Sequence, residues 1–172
     1  MRYLIVDLEA TCWENMKDSS PMEIIEIGAL MLPESLDLPA PEYQRFIRPI
    51  QNPVLSDFCT ELTSITQEQV EAAEDFSVVF PEFLTWIGDE PFTFCSWGDY
   101  DYQQIKRDCV RWNLDFPKTF HDRINLKRQF KKAHHVRPGM VEALGLLGLA
   151  LEGTHHRGID DARNIARIAR KL

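Results

Sequence analysis

The sequence predicts a mixed α/β fold, a sheet of more than one strand direction with helices packed against it. Three observations predict it. Strand-like apolar segments crowd into the first fifty residues, strand and helix patterns alternate after them, and 172 residues with 44% apolar side chains can build one real core. A chain of this length buries about two-thirds of the surface that its unfolded form exposes. One domain over residues 1–172 is expected.

The elements follow in order. "RYLIVDLEA" reads as a buried strand, "PMEIIEIGALML" as a second with Gly28 as a candidate bulge, and "YQRFIRPI" as a third, alternating and stopped by Pro49. "PESLDLPAPE" is a proline-rich connection between the last two. "TSITQEQVEAA" carries a capping-box pattern from Thr66 to Gln69. "DFSVVFPEFLTWI" has helical apolar spacing at Phe76, Val79, Phe80, Phe83, Leu84 and Ile87. "FTFCSW" is a fourth short strand, "YDYQQIKRDCVRW" a helix, and "TFHDRINL" a fifth strand. Helices then run through Lys127–Lys132, near "GMVEALGLLG", and from about Asp160 to Lys171, the last with Ile165 and Ile168 on its apolar side.

Bulk properties exclude several classes. No apolar run reaches roughly eighteen residues and no basic-then-apolar leader opens the chain, so a cytoplasmic setting is expected. Cys12, Cys59, Cys95 and Cys109 are scattered without a CxxC pair, which suits reduced thiols rather than a zinc site. The net charge of -8 argues against a phosphate-rich partner, but it averages two unlike regions. Residues 121–172 hold eleven Lys and Arg against five Asp and Glu, a balance of +6; residues 1–120 hold eight against twenty-two, a balance of -14. "KRQFKKAHHVR" is the densest basic stretch, and by itself such a run is commonly a solvated helix face.

Three acidic stations interrupt this pattern. Asp7 and Glu9 lie two apart on the first strand, so both carboxylates project to one side, only a few ångströms from one another. Like charges that close call for a cation between them or an edge open to water. "SWGDYDYQQI" places Asp99 and Asp101 where a strand feeds a helix, a common site position in open α/β sheets; Asp99 also suits a helix cap. In "HHRGIDDARNIARI", Asp160 has the look of an N-cap and Asp161 of a first-turn acid favoured by the helix dipole. Singly, each has an ordinary surface reading, as do His155 and His156.

Together, Asp7, Glu9, Asp101 and Asp161 offer four oxygen donors at strand and helix ends with no thiolate pair, a set that suits Mg²⁺ or Mn²⁺. Two such ions about 4 Å apart can hold a phosphodiester, one activating water and the other stabilising the departing 3′ oxygen. A histidine on a glycine-flanked loop is the natural proton acceptor.

At this point the blocks "VDLEATCW", "SWGDYD" and "HRGIDDARNIARI" resemble the three motifs of the DEDDh 3′-to-5′ exonucleases, the family of ribonuclease T and of a bacterial polymerase's proofreading subunit. Within it, "EIIEIGA", "GDYD" and "DDARNIARIA" are most similar to the branch of histone-mRNA and small-RNA 3′ exonucleases. The resemblance implies a ribonuclease H-like fold, five strands with the second antiparallel to its neighbours, flanked by helices. It implies that Asp7, Glu9, Asp101 and Asp161 ligate two Mg²⁺ or Mn²⁺ ions, with Asp7 bridging both. His156, five residues before Asp161, takes the general-base role by motif match. Glu9 has a second catalytic and substrate-binding duty: with the backbone at Ala10 and Thr11 it touches the 3′ hydroxyl of the terminal nucleotide, while Tyr100 packs near its base and His156 faces the scissile bond. The second block departs from the wider family's form, so Asp99 competes with Asp101 as a ligand; Asp101 is favoured because Ile105, four residues on, anchors it to the core.

The expected activity is metal-dependent removal of nucleoside 5′-monophosphates from a single-stranded 3′ end, RNA before DNA. The expected partners are that nucleic acid end and the mononucleotide product. DNA exonuclease activity of a proofreading or repair type is the alternative, and a nuclease-like module that binds without cutting is a third reading. Metal reverses the sign of the acidic cluster, the basic carboxyl-terminal region guides the strand, and Trp13, Trp97 or Tyr100 offers stacking surface unless packed in the core.

Overall fold

A nine-residue strand, β1 (Arg2–Ala10), runs through the middle of a five-stranded sheet in the computed structural model, which describes residues 1–37 and 39–172. Its partners are β2 (Ile24–Leu32), β3 (Glu42–Phe46), β4 (Phe92–Ser96) and β5 (Arg123–Asn125), in the order β3-β2-β1-β4-β5. β2 pairs antiparallel with both β1 and β3, whereas β4 runs parallel to β1 and β5 parallel to β4. β2 is therefore the one reversed strand, as the resemblance implies.

Side-chain alternation along β1 builds two half-cores. Leu4, Val6 and Leu8 pack with Phe80 and Phe83 of α3 (Phe76–Ile87) and Ile105 of α4 (Tyr100–Arg111). Ile5 points to the other face, against Phe130 of α5 (Leu126–His134), Leu144 of α6 (Met140–Leu146) and Ile165 of α7 (Gly158–Ala169). β2 is buried over its full length, which explains its apolar reading on both faces around the single charged residue Glu26. Asp7 and Glu9 share the parity of Ile5, so they face α7.

The capping box is present: the Thr66 hydroxyl accepts from the Gln69 N–H and the Gln69 side chain accepts from the Thr66 N–H, opening α2 (Gln67–Glu71). α1 (Asp57–Thr63) adds a helix that the apolar pattern does not announce; at seven residues it is too short for periodicity to declare. β5 is a three-residue strand after a 3₁₀ turn at Lys118–His121.

Two local expectations are corrected. Gly28 is not a bulge: it pairs in register with Asp7, and the irregularity lies on the partner strand between Glu9 and Ala10. Asp160 is not the N-cap of the last helix, because α7 begins at Gly158 with Arg157 at the cap position. Asp160 instead accepts from the Thr154 N–H at 2.9 Å and from Arg163 Nη1 at 2.8 Å, fastening the preceding loop to the first turn.

Candidate active site

The bulge at Glu9 and Ala10 marks the end of β1, where side chains can be re-aimed as the ladder breaks. Here Asp7, Glu9 and Asp161 meet, with one carboxylate oxygen of each within 4.8 Å of the others. Asp101, in the first turn of α4, arrives from the opposite face and accepts a hydrogen bond from the Leu8 N–H at 3.1 Å. That bond ties Asp101 to the backbone of the residue between the two β1 acids, and its charge acts on both. Sequence positions 7, 9, 101 and 161 thus converge at one end of the sheet.

Their crowding has a clear electrostatic signature. Removal from water, then repulsion from Asp101, Glu9, Asp161 and Glu26, holds the Asp7 carboxyl well above the usual carboxylate range. Burial and the charges of Asp161, Glu26 and Asp101 push Glu9 up to about 9. Asp101 is raised to about 7 by burial, and Asp161 is raised by burial against the lowering pull of the His156 N–H and of His155. A cluster that resists ionisation in isolation is a cluster short of positive charge. Hard oxygen donors gathered in this way fit a divalent cation.

α7 can reach this place because two glycines touch. A Cβ on Gly28 would lie 2.0 Å from the Gly158 carbonyl carbon and 2.1 Å from the Ile159 nitrogen, so the first turn of α7 rests directly on β2. Beside that contact lies Glu26, fully buried and opposite Glu9 in the β1–β2 register. Its Oε2 accepts from the Gly158 N–H at 3.0 Å and from Arg157 Nε at 3.1 Å, and its Oε1 accepts from Gln44 Nε2 at 2.7 Å. Arg157 also lies over the Phe46 ring, 5.2 Å from its centroid. Glu26 is therefore a fifth acid that sequence reasoning passes over. A charged residue inside an all-apolar strand, two positions before Gly28 and so on the same face, was the available signal.

Both histidines are at the site and neither is a free surface residue. The His155 and His156 rings stack with centroids 3.8 Å apart, and each contributes a nitrogen to a cluster with Asp161. His155 Nδ1 lies 2.9 Å from Asp161 Oδ2, and the same oxygen accepts from the His156 N–H at 2.9 Å. His156 holds a left-handed φ of 62°, a conformation that β-branched residues avoid and that is concentrated at functional sites. Burial, with the charge of His155 second, moves its imidazole below the ordinary histidine range.

The remaining sequence-predicted residues divide. Asp99 does not join the cluster and does not cap α4 with its side chain; it holds Arg123 Nη1 at 3.0 Å and Asn125 Nδ2 at 3.1 Å. Tyr100 stands half-exposed beside Asp101, its hydroxyl 3.6 Å from Met22 Sδ and Arg107 over its ring, open to a stacking partner. Ala10 and Thr11 are buried at the strand end, but the Thr11 N–H already donates to the Glu23 carbonyl at 2.8 Å and its hydroxyl accepts from the Glu23 N–H at 2.9 Å. With the Thr11 N–H used within the fold, the backbone group that Thr11 can offer to a nucleotide is its carbonyl. Trp97 packs edge-on against Phe130 in the core, 5.8 Å between centroids, while Trp13 is partly exposed.

Comparison with known proteins agrees with this geometry. The RNase T family model, described as Exonuclease, matches residues 4–169. ERI1 exoribonuclease 2 of Danio rerio is 34% identical over 191 residues, which cover 98% of this chain and 34% of that protein. The 3′-5′ exoribonuclease 1 of Homo sapiens is 32% identical over 179 residues, covering 98% of this chain and 51% of the relative. The chain thus spans about a third to a half of the length of these relatives. The nuclease domain of 3′hExo, a DEDDh family member bound to rAMP, superposes with a TM-score of 0.91 at 31% identity, covering 99% of this chain and 90% of that one. The chain belongs to the RNase T exonuclease family, in its DEDDh group.

Proposed function

We propose that residues 1–172 form one exonuclease domain that removes nucleoside 5′-monophosphates from the 3′ end of single-stranded RNA in a metal-dependent reaction. The single observation that carries this reading is the meeting of Asp7, Glu9 and Asp161 within 4.8 Å, with Asp101 adjoining through the Leu8 N–H. RNA is favoured because relatives carry the name exoribonuclease and because 3′hExo holds a ribonucleotide, rAMP.

The four acids fit a pair of Mg²⁺ or Mn²⁺ ions by donor type and by their uncompensated charge, and Asp7, Glu9, Asp101 and Asp161 would hold them. Bound there, the ions would activate water and stabilise the leaving 3′ oxygen. His156 accepts the proton from the attacking water at a ring nitrogen, a role its lowered pKa suits because the imidazole is already neutral near pH 7. Glu9 orients the terminal 3′ hydroxyl, the strand end at Ala10 and Thr11 sets the depth of the terminal nucleoside, and Tyr100 supports its base. Asp161 fixes the histidine loop by accepting from the His156 N–H.

Digestion of 5′-labelled and 3′-labelled oligoribonucleotides with Mn²⁺ and with chelator tests the proposal. The 3′ label is expected to leave first as a mononucleotide, and chelator is expected to stop the reaction. Asp7→Asn should abolish turnover while the fold is retained; substantial hydrolysis by a pure preparation of that variant would overturn the assignment. Matched deoxyribonucleotide strands provide the comparison for the DNA reading, since only RNA offers the 2′ hydroxyl.

A further inference from the structure

Beyond the acid cluster, at the carboxyl ends of β4 and β5, a concave pocket of about 200 Å³ is lined by Ser96, Asp99, Arg123, Asn125, Arg128 and Lys132. Three cations against one carboxylate give it a local charge of +2 within a chain of net charge -8. Its parts are unequal. Arg123 is built in: it pairs with Asp99 at 3.0 Å, and its guanidinium carbon sits 3.9 Å above the Tyr102 ring centroid. Arg128 and Lys132 lie one turn apart on α5, and among the described residues neither has a carboxylate partner.

The pocket's position gives this charge a use. β1, β4 and β5 are parallel, so their carboxyl ends point the same way; the paired Ser96 and Asn125 stand one residue beyond the Ile5–Cys95 pair, and β5 lies two strands from β1, roughly 10 Å at about 4.8 Å per strand. α5 packs on the same face of the sheet as α7, whereas Arg123 projects to the other face over Tyr102, so the pocket opens at the β5 edge and the carboxyl end of the sheet, the end at which Asp7 and Glu9 stand. Another cationic groove, at Lys106, Arg107 and Arg111, lies along α4 beyond Tyr100. There, however, Arg107 is engaged by Gln104, and Arg111 by Asp108 and the Ser20 carbonyl.

We infer that the Arg123, Arg128 and Lys132 pocket binds an internucleotide phosphate of the substrate strand on the 5′ side of the bond being cut. The inference rests on the exonuclease reading: with the terminal nucleoside against Glu9, Thr11 and Tyr100, a strand that runs on across the carboxyl ends of β1, β4 and β5 meets this pocket, where Arg128 and Lys132 have no carboxylate partner among the described residues. Arg123, held flat by Asp99 and Tyr102, fixes the register, and Arg128 and Lys132 supply the charge that recognises the phosphodiester.

The test is a length series of oligouridylates, from dinucleotide to hexanucleotide, cut by the wild type and by an Arg128→Gln, Lys132→Gln double variant. An Arg170→Gln, Lys171→Gln double variant, at the far end of α7, removes the same charge elsewhere. The first variant is expected to raise KM about tenfold for the hexanucleotide and less than twofold for the dinucleotide, which is too short to reach. Binding of 5′-fluorescein hexauridylate in Ca²⁺, read by anisotropy, should show a salt slope reduced by about 0.7 for each phosphate that the variant no longer neutralises. Unchanged length dependence and salt slope, or an equal effect of the Arg170 and Lys171 variant, would overturn the inference. A wild-type protein that cuts no oligonucleotide in Mn²⁺ would instead sink the exonuclease reading, with the pocket still judged by the anisotropy slopes.

Discussion

Glu26 shows how one side chain can govern a site without being part of the donor set. Its buried carboxylate joins β2 to the N-terminus of α7 through Gly158 and Arg157, and it stands across from Glu9. Glu26→Gln keeps the shape but leaves a largely buried guanidinium without its counter-charge, a change that in comparable pairs costs about 3–5 kcal/mol. Because α7 carries Asp161 and the histidine loop, kcat is expected to fall by about 10- to 100-fold with KM little altered, since a small displacement of reacting groups is costly. A variant with a lowered Tm but full kcat would confine Glu26 to stability. His156→Ala should lower the rate by about 10² to 10⁴ and erase the acidic limb of the pH–rate profile, which in the wild type lies below pH 6.5 because burial depresses that imidazole. His155→Ala should cost less, since its Nδ1 holds Asp161; a larger loss there would exchange the two roles.

At the scale of elements, the decisive contact is α7 on β2. Gly28→Ala inserts a methyl 2.0 Å from backbone atoms that no rotamer change can move, so α7 must shift. The expected result is a loss of stability of about 1–3 kcal/mol together with loss of activity, read by denaturant unfolding and by initial rates. Wild-type activity in a folded Gly28→Ala protein would show that α7 need not sit so close. Elements with enough length for a period to emerge were legible in the sequence: β1, β2, α3 and α4 stand where the apolar spacing puts them. α1 was hidden by its brevity. The start of α7 was misread by two residues because Asp160 resembles a cap, while the actual first turn is defined by a tertiary contact between Gly158 and Glu26.

At the scale of the whole molecule, charge makes metal and pH act together. The cluster carboxyls have folded pKa values raised above their unfolded ones, so without metal the folded state binds more protons than the unfolded state at neutral pH. Metal-free stability must then fall as pH rises, through a window from the usual carboxylate range near 4 up to about 9, where Glu9 ionises. Divalent ions favour the ionised acids and oppose that loss. The gain in Tm on adding Mn²⁺ should therefore grow from pH 5.5 to pH 8, and it should shrink in Asp7→Asn. Scanning calorimetry at several pH values checks this, and a gain independent of pH would contradict the linkage.

Residue type and spacing determined the chemistry available to this protein: a pair of acids two apart on a strand, further acids at helix starts, and a glycine-flanked loop bearing histidines, of which the family resemblance singled out His156. Such patterns are local, and local geometry on strands and helices follows from backbone period. The tertiary structure decided which of them cooperate. It turned Asp99 outward to Arg123 while drawing Asp101 in through the Leu8 N–H, used the Thr11 N–H within the fold, and recruited Glu26 and Gly28 as the seat of α7. The reason is physical: burial and like-charge repulsion depend on distances between residues far apart in the chain, and those distances exist only after β1, β2 and α7 have packed.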